Sequence, residues 1–178
     1  LVLYDADTLK DGDLVLAQVG GGGERGFGPK RGKVLEVVGR EDQPKAASLI
    51  ALHTHSIPTG FSEDAEHEAE AAKPPTLAGR TDLRDLPLIT IDPVDARDHD
   101  DAVYAHVDED PRNPEGWVVW VAIADVAAYV RPGSGLDRTA WDKGNSVYFP
   151  DRVEPMLPER LSAGLCSLRE GEDRACMA

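Results

Sequence analysis

The chain has 178 residues, 41% of them hydrophobic, with a formal net charge of −14, so it carries enough apolar material for a core in one or two domains. Its longest apolar run, Trp117 to Val130, is interrupted by Asp125 and falls short of the roughly 20 residues a membrane helix needs. The acidic balance argues against broad phosphate binding, but the stretch from Glu24 to Arg40 holds five basic residues against two acidic ones.

In chain order, Asp13–Val19 and Gly32–Val38 read as two strands rich in β-formers, joined by a glycine-dense, basic loop and forming part of a small β-barrel. The loop contains Gly21-x-Gly23-x-x-Gly26. A strand follows it where the dinucleotide fingerprint requires a helix, so it reads as a flexible hairpin. A kinase reading lacks its lysine in Val121-Ala-Ile-Ala124.

Ala46 to Ile57 is a helical candidate with Leu49, Ile50 and Leu52 on its apolar side, and His53 and His55 fall on different faces as surface residues. Ser62 is placed to cap a second helix running to about Lys73, with Glu63 and Asp64 in its first turn and Pro74-Pro75 ending it. The face from Glu66 to Glu70 reads as solvated.

From Thr81 the composition shifts. Leu86–Ile91, Ala102–Val107 and Trp117–Ile123 read as buried strands of a packed mixed sheet, followed by a helix over 136–143 and an extended segment, Ser146–Pro150. Leu1 stands in place of an initiator Met, and the chain stops at Ala178 inside an unfinished element; a longer parent protein is expected. No signal peptide precedes Cys166 and Cys176, which are too few for a zinc site, so free thiols in the cytoplasm are expected.

The densest feature lies between Asp92 and Asp110, where eight acidic residues face one Arg97, a net of −7. Asp92, Asp98, Asp100 and Asp101 fall within ten positions, about 30 Å if fully extended, so gathering them at one point requires a sharp loop. Pro93 holds Asp92 in extended geometry. Such carboxylates suit Mg²⁺ or Mn²⁺, and two ions roughly 3.5–4 Å apart serve phosphodiester cleavage. An EF-hand is excluded by the missing central glycine and terminal glutamate. Composition and spacing leave two readings open, a catalytic metal site and a solvated acidic turn.

The run Asp82-Leu-Arg-Asp-Leu-Pro-Leu-Ile-Thr-Ile-Asp92-Pro-Val-Asp-Ala-Arg-Asp98-His-Asp100-Asp101-Ala-Val-Tyr104 closely resembles the opening of the catalytic (RNB) domain of the ribonuclease II/ribonuclease R family, nearer to the ribonuclease R branch. Trp120–Val126, Tyr129–Pro132, Ser146–Pro150, Pro155–Pro158 and Leu161–Leu168 follow in that family's order. The resemblance covers Gly79 to Ala178, and Leu1 to about Arg40 resembles the end of a cold-shock barrel.

The resemblance implies an α+β fold in three regions: a partial cold-shock (OB-fold) barrel over 1–45, a helical connector over 46–80 and the first part of the catalytic domain over 81–178. It further implies metal-dependent 3'-to-5' hydrolysis of single-stranded RNA to 5'-monophosphate nucleotides, with a catalytically silent RNA-binding module of the same fold as the alternative. Asp92, Asp98, Asp100 and Asp101 match the family's metal-site and catalytic aspartates, Asp100 the most essential of them. Tyr148 matches the aromatic that stacks on a base, a grip indifferent to sequence. The implied cofactor is Mg²⁺, with Mn²⁺ as substitute. The implied partner is single-stranded RNA, with no membrane, no small-molecule cofactor and a monomeric state.

His99 stands where the family usually carries an apolar or aromatic residue, commonly Phe, and Ala163 where relatives often have Asn. Asp95 has no counterpart in the metal set and reads as solvated, and Asp125 reads as structural. The family's downstream arginines and C-terminal RNA-binding barrel lie outside these 178 residues.

Overall fold

The computed structural model describes residues 2–4, 7–20 and 29–178, which leaves the glycine-dense loop from Gly21 to Gly26 outside the described residues. The chain divides into two compact units, 1–59 with 148–153, and 60–147 with 154–178. Residues 46–80 are thereby shared between the two.

In the first unit, β1 (Val2–Tyr4) runs parallel to β3 (Arg31–Arg40), and β2 (Asp13–Val19) pairs antiparallel with β3 from Asp13 opposite Arg40 to Val19 opposite Gly32. Register shifts at Leu14/Val15 and Leu16/Ala17 add the local twist that curls a sheet towards a barrel. The helix α1 (Ala46–Thr54) packs on this sheet, with Leu49 so close to Gly39 that a Cβ there would sit 2.8 Å from its Cδ1. The helix stops three residues short of Ile57 because Ser56 turns left-handed, at φ 51°. His53 and His55 lie exposed at its end.

In the second unit, α2 (Glu63–Ala71) begins as the sequence requires, with the Ser62 hydroxyl accepting the Ala65 amide at 3.3 Å. Ala65 and Ala69, one turn apart, form its buried face. Such small side chains admit the start of α3 (Gly135–Lys143) so closely that a Cβ on Gly135 would lie 2.7 Å from Asp64 Cβ. Glu68 is not merely solvated, since its two carboxylate oxygens take the amides of Gly135 and Leu136 at 2.8 and 2.9 Å. The other end of α2 is closed by Arg160, whose guanidinium donates to the carbonyls of Ala69 and Ala72, a cation where the helix dipole favours one. Leu136, Leu157, Leu161 and Cys166 complete the core around Ala65, Ala69 and Ala124.

The sheet of this unit comprises β4 (Asp101–Val107), β5 (Trp117–Ala124) and β8 (Cys176–Met177), all antiparallel; a two-stranded hairpin of β6 (Val147–Tyr148) and β7 (Val153–Glu154) precedes β8 in the chain. The α+β class stands, and among the described strands the parallel pair is β1 with β3. Leu86–Ile91 differs from the buried strand expected of it. It makes one bridge, Ile89 to Val103, and Ile91 is 82% exposed, because Pro87 within it and Pro93 two residues beyond it have no amide to donate to a ladder. On β5 the alternate residues Trp117, Val119, Val121 and Ile123 are exposed, so its continuous apolar character does not mean burial on both faces here. Among the described residues no helix is long and apolar enough to cross a membrane.

Candidate active site

The isolated Ile89–Val103 bridge, with both main-chain hydrogen bonds made at 3.0 and 2.8 Å, ties the segment leading into Asp92 to the strand that begins at Asp101. The residues between them turn back through a bond from Ala96 N to the Pro93 carbonyl. A turn thus lies between Asp92 and Asp98. The arm after the loop is fixed from three directions. The Asp100 carbonyl accepts the Ala124 amide at 2.9 Å, the His99 carbonyl accepts the Leu168 amide at 2.8 Å, and the His99 amide donates to Ser167 Oγ at 3.1 Å.

Ser167 is fully buried and donates its own hydrogen to the Arg97 carbonyl at 2.9 Å. It follows a π-helical turn over Leu161–Leu165, a geometry frequent at functional sites. The sequence reading assigned Ser167 no role. It lies 68 residues from His99, and its only sequence signal is its place in the block Leu161–Leu168.

The electrostatics centre on Asp100. Partial burial and the carboxylates of Asp98, Asp101 and Asp92 push its pKa above the ordinary value, with His99 opposing them. Asp92 moves the other way, held below the usual carboxylate range by hydrogen bonds from His99 and Thr90; the His99 Nδ1 to Asp92 Oδ2 distance is 2.9 Å. Burial and the Asp100 charge push the Cys166 thiol up to about 11, which makes it a packed, protonated group. Asp95 is exposed. Asp125 is structural, accepting from Ala128 N at 3.2 Å and Arg80 Nη2 at 2.6 Å. Tyr148 lies on β6 in the first unit, 64% exposed. Ala163 is buried in the π-helical turn, where its carbonyl takes the guanidinium of Arg169.

The RNB domain model matches residues 80–178, and a cold-shock domain model matches residues 4–62. The chain belongs to the RNB family. It is 48% identical over 170 residues to ribonuclease R of Vibrio parahaemolyticus, covering 93% of this chain and 20% of the relative. To ribonuclease R of Escherichia coli it is 51% identical over 150 residues, 82% of this chain and 18% of the relative. The chain thus spans about a fifth of the length of these curated relatives. The solved structure of Mycoplasma genitalium RNase R in complex with double-stranded RNA superposes with a TM-score of 0.86 at 31% identity, covering 98% of this chain and 31% of that one.

Within this RNB segment the donor set fits a hard divalent cation in its chemistry, because carboxylate oxygens are its preferred ligands and mutual repulsion is what a cation relieves. Closure is a separate matter. Among the described residues no three His, Cys, Asp or Glu side chains form a group that could hold a metal ion.

Proposed function

We propose that the parent protein is a cytoplasmic, metal-dependent exoribonuclease that hydrolyses single-stranded RNA from the 3' end and releases 5'-monophosphate nucleotides. The observation that supports this reading is the acidic loop itself, turned back by the Ala96 amide on the Pro93 carbonyl and anchored by Ser167, in which burial together with the carboxylates of Asp98, Asp101 and Asp92 raises the Asp100 pKa. A module that only grips RNA gains nothing from four carboxylates that repel phosphates. Asp92, Asp98, Asp100 and Asp101 would hold Mg²⁺, or Mn²⁺ in its place. When bound, such a cation would supply Lewis-acid activation of water and stabilisation of the leaving oxygen. The chain's own part is to fix the backbone of the acidic loop through the Ile89–Val103 bridge and the Ser167 anchor. Tyr148 offers an exposed ring for base stacking. The relatives named ribonuclease R, and solved structures described as RNase R with double-stranded RNA and with ribose-methylated single-stranded RNA, support RNA as the substrate.

One observation favours a catalytically silent RNA-binding module instead: the carboxylates approach without closing into a cage. Product analysis separates the two. The exoribonuclease yields nucleoside 5'-monophosphates from the 3' end with Mg²⁺ and nothing in EDTA, whereas the silent module binds RNA equally in both and yields no product.

A further inference from the structure

We infer that Ser48, on helix α1, is a positioning residue for Tyr148: through Asp151 it holds the hairpin that presents the aromatic ring to RNA. The inference rests on the base-stacking reading of Tyr148. The segment Tyr148–Val153 is flanked in the chain by the second unit yet packs with the first. It comprises the end of β6, a turn through Pro150 and Asp151 closed by the Phe149 amide on the Arg152 carbonyl at 2.8 Å, and the start of β7. With two residues in each strand, such a hairpin holds its shape poorly alone. A contact outside the hairpin is needed to fix where its ring stands.

Ser48 provides one. It lies four residues before Leu52 on the buried side of α1, and the two are 6% and 2% exposed. A hydroxyl on that stripe must find a partner, and it donates to Asp151 Oδ1 across 103 positions of sequence. Asp151 is exposed, so the bond ties a buried donor on the helix to the tip of the hairpin. A hydrogen bond to an ionised carboxylate is of the stronger kind. The Tyr148 ring, 64% exposed, is thereby presented from a turn that is held at its apex, and a base that stacks on a ring already in place loses less freedom in binding.

The test uses the full-length parent protein in EDTA and single-stranded oligoadenylates carrying 2-aminopurine at each position in turn, whose fluorescence falls when the base stacks. Tyr148→Ala is expected to abolish the quenching at one position and to weaken binding on the order of 10-fold. Ser48→Ala should weaken binding about 3-fold, the scale of one hydrogen bond, and reduce the quenching at that same position alone. Ser48→Thr, which keeps the hydroxyl, restores both. Asp151→Ala removes the same bond from its exposed side and should act like Ser48→Ala. Its direction is diagnostic, because removing a carboxylate that merely repelled phosphate would tighten binding. Neither variant should weaken binding further in a Tyr148→Ala background. Wild-type affinity and quenching in a folded Asp151→Ala, or losses that add to those of Tyr148→Ala, overturn the role of Ser48 alone. No quenching in the wild type, or quenching that survives Tyr148→Ala at every position, overturns the stacking reading and this inference with it.

Discussion

The Ser167 hydroxyl accepts the main-chain amide of His99 at 3.1 Å and so pins the acidic loop to the turn after Leu161–Leu165. Its other bond goes to the Arg97 carbonyl, so one buried atom fixes the backbone on both sides of Asp98. Ser167→Ala would leave an amide and a carbonyl without their partner. The expected cost is about 1–3 kcal/mol of stability, read by urea unfolding, together with weaker Mn²⁺ binding. Unchanged stability would mean that water replaces the hydroxyl and that the anchor is dispensable.

The contact between α2 and α3 predicts an intolerance at Gly135. A Cβ there would meet Asp64 Cβ at 2.7 Å and the Ala65 amide nitrogen at 2.9 Å, both on the backbone side of a packed helix. Gly135→Ala should therefore destabilise by about 1–3 kcal/mol through overpacking, despite the better helix propensity of alanine. A stabilised variant in chemical denaturation would refute this packing.

Glu68 carries a pH signature. The amides of Leu136 and Gly135 hold its carboxyl below the ordinary range, so the folded state binds its proton less readily than the unfolded chain does. The stabilisation is present above the ordinary carboxylate pKa and is lost as pH falls through the lowered folded value. Glu68→Gln is expected to cost about 1 kcal/mol at pH 7, the scale of a helix cap, and the gap to wild type should close on acidification. A gap that is constant with pH would place the effect elsewhere.

Asp100 has the opposite sign. Its pKa is raised, so the folded protein binds more protons than the unfolded chain between the ordinary and raised values, and cation-free stability falls as pH rises through that window. In EDTA, Asp100→Asn should remove this slope and raise stability slightly, by less than about 1 kcal/mol because the group is solvent-accessible. Mn²⁺ should raise the Tm of wild type and leave that of the variant nearly unchanged. A variant less stable than wild type in EDTA would show that the carboxylates do not repel.

Where signals are local, the sequence reads through to the structure. Ser62 caps α2, β2 occupies Asp13–Val19, and Asp125 caps a turn instead of joining the acidic centre. Cap geometry and strand periodicity depend on neighbours a few residues apart. Interactions spanning many residues leave no such trace. Glu68 meets Gly135 across 67 positions, Arg160 meets Ala69 across 91, and Ser167 meets His99 across 68. Leu86–Ile91 misleads for a related reason: its composition is that of a strand, but prolines at 87 and 93 leave it one bridge. The aspartates lay between these cases. Spacing left them undecided, the order of the flanking blocks pointed to a family, and the Ile89–Val103 bridge ties the segment before Asp92 to the strand that begins at Asp101.

The central claim is that the acidic centre around Asp100 cleaves phosphodiesters, and incubating full-length wild type and Asp100→Asn with 5'-labelled single-stranded RNA tests it most directly. The prediction is a ladder of stepwise 3' shortening for wild type with Mg²⁺ or Mn²⁺, none in EDTA, and none for Asp100→Asn although that variant still retains the RNA. Degradation by Asp100→Asn at the wild-type rate would contradict the account.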